Sequence, residues 1–118
     1  MGHNLALGAH GEELAARFLC EAGLEIVARN WRCRYGELDL IAREGEVTAF
    51  VEVKTRRALT FGPPAEAVTF LKQQRIRRLA VLWLHEQAGP WLHIRFDVMS
   101  VLLRPGKDPE IQHLKAVF

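Results

Sequence analysis

Cysteine is scarce in this sequence: Cys20 and Cys33 are the only two among 118 residues. Their spacing is not that of a metal-binding Cys-x-x-Cys pair, and it gives no sign of a disulfide-stapled secreted protein. No apolar run approaches the ~20 residues that cross a bilayer. The first residues lack the charged and long apolar regions of a signal peptide. We therefore expect a cytoplasmic protein with reduced thiols and no membrane partner.

An excess of charge of either sign is also absent. The formal net charge is +2 and the sequence pI is about 8.8, far from the extreme of a histone-like binder. The overall charge therefore says little about partners. Hydrophobic residues make up 49% of the chain, enough to bury a core without disulfides or metals. The length predicts one domain over residues 1–118.

Hydrophobic periodicity and turn-forming residues predict seven elements in the order α-β-β-β-α-β-β. The first helix ends at Gly23, and the second begins after the breaker at residues 61–64 and ends before Gly89 and Pro90. The predicted helices span residues 8–22 and 64–86, and the predicted strands span residues 24–30, 37–42, 47–55, 91–103 and 110–117. This order indicates an α/β protein with a small mixed sheet flanked by helices.

Two carboxylates and a lysine share one face of the hairpin predicted for the second and third strands. Side chains alternate faces along a strand, which places Asp39 with Glu52 and Lys54. If Ala42 pairs with Val47, Asp39 and Glu52 are diagonal neighbours about 7–8 Å apart at Cα. The apolar run before Glu52 predicts a central strand, so its carboxylate should be semi-buried.

Carboxylates on one sheet face repel each other, and a hard cation offsets that cost. Mg²⁺ takes oxygen ligands and keeps several waters, which leaves room for a phosphodiester oxygen and an attacking water. Lys54 would stabilise charge that develops in the transition state. We therefore predict a nuclease-type site with Mg²⁺ or Mn²⁺ bound by Asp39 and Glu52. A solvated strand face with a weak Glu52–Lys54 ion pair is the alternative.

Three further charged residues extend this prediction. Glu37 lies on the same strand face as Asp39 and would support the acidic cluster. Glu12, at the margin of the apolar face of the first helix, can reach over the sheet to complete that cluster; alternatively, the helix dipole alone favours a glutamate there. Lys72 lies within the apolar stripe of the second helix, so we expect an acidic or phosphate partner, or else a lysine that extends to water. The other stripe residues are Ala65, Val68, Ile76, Leu79 and Trp83.

Basic residues on the same elements predict contacts with a nucleic-acid backbone. The predicted nucleic-acid-binding residues are Lys72, Arg56, Arg75 and Arg78, with added charge from Arg57 and Arg77. Dispersed arginines on a helix are also common as solubilising residues, and this alternative stays open. Trp31, Trp83 and Trp91 can stack on bases, although packing in the core is the expected role of Trp83.

At these residues the sequence resembles the YraN-like family of bacterial proteins. The resemblance covers nearly the whole chain in order, and it is carried by residues 8–15, 29–32, 36–41, 50–56, 61–62 and 95–98. That family is similar to the restriction-endonuclease-like, or PD-(D/E)xK, superfamily, which includes archaeal Holliday junction resolvases. The resemblance implies a restriction-endonuclease-like fold.

The resemblance also implies roles for individual residues. The superfamily's first acidic position falls on Asp39, and its (Asp/Glu)-x-Lys motif falls on Glu52, Val53 and Lys54. Its helix glutamate falls on Glu12, and the backbone carbonyl of Val53 would be an additional metal ligand. All of these positions are intact here.

Three functions are compatible with these patterns, because a fold does not fix a function. The leading hypothesis is a metal-dependent nuclease that acts on DNA, including branched, repair or recombination intermediates. The second is a non-catalytic module that binds nucleic acid or protein through the basic helix around Lys72 and Arg75. The third is a structural or dimer-forming accessory domain. Resolvase-like proteins are often dimers, so a homodimer is one expected assembly.

Overall fold

The computed structural model describes residues 2–57, 68–87 and 93–118, with side chains from residue 6 onward. Seven elements follow the predicted order, so the predicted α/β class is confirmed. They are α1 (Gly2–Glu21), β1 (Glu25–Cys33), β2 (Gly36–Glu44), β3 (Val47–Arg56), α2 (Phe70–Glu86), β4 (His93–Leu102) and β5 (Glu110–Leu114). Neither helix, as far as the structure describes them, is long and apolar enough to span a membrane.

The five strands form one sheet in the order β1-β2-β3-β4-β5. β3 and β4 are parallel, and the other neighbouring strands are antiparallel. Parallel neighbours need a long crossover connection, and α2 lies in the stretch that joins β3 to β4. β3 is therefore the middle strand, as its apolar residues on both faces predict.

The two helices cover opposite faces of the sheet. Ala49 and Val51 of β3 belong to the buried cluster under α1, whereas Phe50 between them belongs to the cluster under α2. Adjacent residues of a strand point to opposite faces, so the two clusters are the two sides of the sheet. Trp83 of α2 meets Phe50 edge to face, with ring centroids 5.8 Å apart. This contact agrees with the predicted core role of Trp83.

The register predicted for the β2–β3 hairpin is wrong by two residues. Val47 pairs with Glu44 and not with Ala42, because the turn contains only Gly45 and Glu46. Gly45 has a φ of 61°, which glycine adopts without strain and which permits so short a turn. A shift of two residues does not by itself move a side chain to the other face. Leu38 nevertheless departs from the predicted alternation, because it packs in the cluster under α2 while Leu40 and Ala42 pack in the cluster under α1. The shift changes which residues of β2 and β3 are opposite each other.

The helix boundaries also differ from the prediction. α1 begins at Gly2, six residues early, and ends before Gly23 as predicted. α2 begins at Phe70 and not at residue 64, because the Thr69 hydroxyl accepts a hydrogen bond from the Lys72 N–H and caps the helix. Val68 of the predicted stripe is buried but precedes the helix. Residues 61–67 and the predicted end at residues 89–90 lie outside the described residues.

The last two strands end earlier than predicted, at Leu102 and Leu114. The described part of the fourth strand is His93–Leu102, and residues 91–92 lie outside the described residues. β5 ends at Leu114 and not at residue 117. Ala116 has a φ of 52°, in the left-handed region, which interrupts an extended strand.

Candidate functional site

Asp39 and Glu52 form a carboxyl pair at the point where the β2–β3 ladder ends. The last paired residues of that ladder are Leu40 and Val51, and the pair comprises the next residue of each strand. Asp39 and Glu52 are therefore opposite each other and not diagonal as predicted. Their carboxyl groups are hydrogen-bonded to one another, and Asp39 Oδ2 also accepts a hydrogen bond of 2.9 Å from the Val53 N–H.

Burial and mutual repulsion shape the protonation of this pair. Burial raises the pKa of Asp39, and the negative charge of Glu52 raises it further. The hydrogen bond from the Val53 N–H opposes both effects, and the resulting pKa of Asp39 is about 8. Glu52 is itself only 8% exposed, as predicted for a carboxylate on the central strand. Two carboxyl groups in this position favour holding one proton between them or a cation.

Two lysines adjoin the carboxyl pair, one from the sheet and one from α2. The Nζ atom of Lys72 lies 2.6 Å from Oε1 of Glu52, so this inward-facing lysine meets an acidic partner. Burial lowers the pKa of Lys72, but its hydrogen bonds with Glu52 and Lys54 outweigh burial and raise it. Burial lowers the pKa of Lys54, and the neighbouring Lys72 ammonium lowers it further. The site therefore contains two cationic groups of unequal basicity.

Glu12 approaches the site because α1 crosses close to β3. A Cβ atom at Gly11 would lie 1.8 Å from the Thr55 hydroxyl oxygen, so only glycine permits this approach. Burial raises the pKa of Glu12, and the charges of Glu37 and Glu52 raise it further. The helix therefore brings a third carboxylate near the pair, as the sequence predicted.

Asn30 is a site residue that the sequence did not reveal. Its side chain is hydrogen-bonded to the Glu12 carboxyl group and opposes the rise in that group's pKa. Asn30 has a φ of 49°, which asparagine tolerates better than most residues. It lies in a segment that carries the family resemblance, but nothing in its strand pattern indicates a left-handed conformation. The only local hint of this conformation in the sequence is therefore that the residue is an asparagine.

The remaining predicted residues differ in their exposure and in their partners. Glu37 is exposed and forms an ion pair with Arg32 at 2.9 Å. Its effect on Glu12 is electrostatic: its negative charge raises the pKa of the Glu12 carboxyl group. Arg56 is half-buried at the end of β3. Arg75 and Arg78 are exposed on α2. Trp31 packs against the α2 cluster, and Trp91 lies outside the described residues.

The donor set at the pair suits Mg²⁺ or Mn²⁺. Among the described residues there is no group of three or more His, Cys, Asp or Glu side chains placed to hold a metal. Mg²⁺ commonly uses only one or two carboxylates, with water and substrate phosphate as its other ligands. Asp39 and Glu52 would be those carboxylates. The negative charge of Glu52, after burial, raises the pKa of Asp39, and a bound cation would relieve that repulsion. The Val53 main chain lies beside them, held by its hydrogen bond to Asp39.

The fold and this cluster define a small mixed α/β protein with an acidic pair and two lysines at its central strand. The sequence model described as "Uncharacterised protein family UPF0102" matches residues 11–101, a range that contains every one of these side chains. The chain belongs to that family, in agreement with its resemblance to YraN-like proteins.

Several relatives carry the name "UPF0102 protein". One from Nocardia farcinica is 76% identical over 118 residues, which is 100% of this chain and 93% of the relative. One from Rhodococcus opacus is 62% identical over the full length of both chains. One from Acidothermus cellulolyticus is 46% identical and covers 96% of this chain and 93% of its own. The similarity therefore spans the whole fold and the site.

Proposed function

We propose that this protein is a divalent-metal-dependent nuclease that hydrolyses phosphodiester bonds in DNA. The observation that carries the proposal is the hydrogen-bonded Asp39–Glu52 pair with Lys54 and Lys72 beside it. Acidic residues on neighbouring strands together with an adjacent lysine form the arrangement that metal-assisted phosphodiester hydrolysis needs. The resemblance to Holliday junction resolvases extends the proposed substrates to branched, repair and recombination intermediates.

Each side chain has a separate task in this proposal. A Mg²⁺ or Mn²⁺ ion bound by Asp39 and Glu52 would lower the pKa of a water and neutralise charge on the phosphate. Lys54 is half-buried next to the pair and would donate hydrogen bonds to a phosphate oxygen. Lys72 holds the Glu52 carboxylate in place through its ion pair. Glu12 would accept a hydrogen bond from a water that approaches the phosphorus.

A cleavage assay tests the proposal. The purified protein would be incubated with Mg²⁺, Mn²⁺ or chelator and with labelled duplex, single-stranded and four-way-junction DNA. We expect metal-dependent cleavage that falls at least about 100-fold in Asp39→Asn, Glu52→Gln and Lys54→Ala. Glu13→Gln is the matched control, because Glu13 is next to Glu12 in sequence but binds Arg17 and Arg29 at the surface. Cleavage that persists in chelator or in Asp39→Asn would contradict the assignment.

The exposed arginines of α2 favour one alternative, a non-catalytic module that binds nucleic acid. That module would bind DNA in a salt-dependent manner, without turnover and without sensitivity to chelator. Crystals soaked in Mn²⁺ separate the two functions in a different way. The nuclease proposal expects an anomalous peak between Asp39 and Glu52, and no such peak is expected of the alternative.

A further inference from the structure

A hollow next to α2 has a lining that the proposed catalysis does not use. Its volume is about 250 Å³, and it lies between the turn that joins β1 to β2 and the exposed side of α2. An aromatic ring, an amide, two guanidinium groups and one aliphatic side chain line it: Tyr35, Gln74, Arg75, Arg78 and Leu79. We name it the Tyr35 hollow. Aromatic, amide and cationic groups together match the base, the base edge and the phosphate of a nucleotide.

Tyr35 is an exposed aromatic residue surrounded by positive charge. It is 45% exposed, although large hydrophobic residues usually bury more of their surface. The guanidinium carbon of Arg78 lies 4.5 Å from its ring centroid, and that of Arg34 lies 5.2 Å away. Both arginines therefore stack on the ring and can also stack on, or exchange with, a planar base. No packing requirement of the core explains this arrangement, because the ring is at the surface.

A row of cations connects the Tyr35 hollow to the carboxyl pair. Lys72, Arg75 and Arg78 are spaced three residues apart on α2, so each is a neighbour of the next on the surface of the helix. Their Cα atoms span about 9 Å at 1.5 Å per residue, comparable with about two nucleotides of a strand. Lys72 binds Glu52 at one end of the row, and Arg78 stacks on Tyr35 at the other.

We propose that the Tyr35 hollow binds an unpaired nucleotide of the strand whose phosphate reaches the Asp39–Glu52 pair. Arg75 and Arg78 neutralise its phosphate, and Tyr35 contacts the plane of its base. A base within a duplex is paired and stacked, and it must be extruded before it can occupy such a site. The inference rests on the proposed function and specifies its substrate class: strands with unpaired nucleotides next to the scissile phosphate.

Binding measured without metal tests the inference separately from cleavage. Fluorescence anisotropy in chelator would compare a labelled single-stranded DNA, an RNA of the same sequence and a blunt DNA duplex. We expect Tyr35→Ala to weaken binding of the unpaired strand about tenfold and binding of the duplex less than about twofold. Tyr35→Phe keeps the ring and should bind as the wild type does. Comparison of the affinities for single-stranded DNA and for RNA of the same sequence shows which of the two strands the protein prefers.

Two further measurements sharpen the test. Arg78→Ala should weaken binding of the unpaired strand, whereas the matched control Arg17→Ala should not, because Arg17 is an exposed arginine of α1 that binds Glu13 instead. A 2-aminopurine base in the strand should lose fluorescence on binding to the wild type and retain it with Tyr35→Ala. Circular dichroism verifies that each variant is folded.

The outcomes separate this inference from the nuclease proposal. If Tyr35→Ala weakened binding of paired and unpaired strands equally, or left the affinity for unpaired strands unchanged, the Tyr35 hollow would be overturned as a nucleotide site. This would hold even if the protein cuts DNA. Tyr35-dependent binding of unpaired strands by a protein that cuts DNA in neither Mg²⁺ nor Mn²⁺ would leave the Tyr35 hollow as a nucleotide site and reject the nuclease function.

Discussion

The Nζ atom of Lys72 on α2 lies 2.6 Å from Oε1 of Glu52 on β3. The ion pair joins the crossover helix to the central strand at the position of the carboxyl pair. Glu52 is almost fully buried in this contact, whereas the Lys72 side chain is 34% exposed. The exposed part of the lysine remains accessible to a substrate phosphate. The position of α2 on the sheet therefore determines whether Glu52 has a cationic partner.

Replacement of Lys72 should affect activity more than stability. We expect Lys72→Gln to lower cleavage by about tenfold or more, because Glu52 loses the group that orients its carboxylate. Unfolding free energy should fall by no more than about 1 kcal/mol, since the lysine is partly solvated. Cleavage rates and urea denaturation measure the two effects. Lys115→Gln is the matched control, as Lys115 binds the surface residue Glu44 at 3.1 Å; equal loss of cleavage in both variants would contradict the prediction.

Replacement of Asp39 should remove the stabilising effect of metal. At Mn²⁺ concentrations about 100 times the dissociation constant, bound ion should stabilise the wild type by about 2.7 kcal/mol. Asp39→Asn removes one of the two carboxylates and should abolish most of that gain, while it relieves their repulsion in the metal-free protein. Thermal unfolding with and without Mn²⁺ measures both effects. Asp108→Asn, on the exposed turn before β5, serves as the control. A full Mn²⁺ shift in Asp39→Asn would exclude Asp39 as a ligand.

The close approach of α1 to β3 predicts opposite effects at two glycines of the same helix. Gly11→Ala forces a Cβ atom into the Thr55 side chain and should cost about 2 kcal/mol of unfolding free energy. Gly8 has no neighbour within 4 Å of its Cβ position, so Gly8→Ala should stabilise the helix by about 1 kcal/mol. Chemical denaturation compares the two variants. Equal changes would mean that α1 is not held against Thr55. Gly11→Ala should also reduce cleavage, because Glu12 moves with the helix.

A buried aspartate on β4 ties the C-terminal residues to the sheet. Asp97 is 0% exposed and accepts hydrogen bonds from the Ala116 N–H at 2.9 Å and from Arg95 Nε at 3.1 Å. The Nε2 atom of His113 lies 2.8 Å from its other oxygen. Burial raises the pKa of Asp97, but its contacts with His113, Ala116 and Arg95 outweigh burial and lower it.

The lowered pKa of Asp97 sets the sign of its effect on stability. Its contribution is present above the unfolded-state pKa of about 4 and disappears as the pH falls through the lower folded-state value. We expect Asp97→Asn to cost about 3 kcal/mol at pH 7. The difference from the wild type should narrow below about pH 4, as urea denaturation at pH 7, 4 and 3 would measure. A difference that stays constant with pH would mean that the Asp97 charge does not stabilise the fold.

The sequence predicted the order of elements and the faces of most strand residues because both follow from periodicity, whereas Leu38 departs from the alternation. The hairpin register was wrong, since a shift of two residues leaves the alternation of apolar and polar side chains unchanged. The direct opposition of Asp39 and Glu52 therefore had to come from the two-residue turn. The start of α2 was wrong because helical periodicity continues through Thr69, whereas the Thr69 cap ends it.

The carboxyl site was predicted in part. Alternation placed Asp39, Glu52 and Lys54 on one face, and the apolar stripe of α2 indicated an acidic or phosphate partner for Lys72. Asn30 was not predicted as a site residue, because its left-handed backbone and its contact with Glu12 depend on how α1 lies against β1. The stacking of Arg78 on Tyr35 was missed for the same reason: the two residues are distant in sequence and meet only in the folded chain.

The sequence by itself determined the α/β order, the central position of β3 and the chemical identity of the candidate site. These depend on patterns within single elements, where a residue's neighbours along the chain fix the direction of its side chain. Only the tertiary structure decided the ion pair of Lys72 with Glu52, the raised pKa of Asp39 and the Tyr35 hollow. Each of these depends on burial and on distances between separate elements, and such distances exist only after the helices have packed on the sheet.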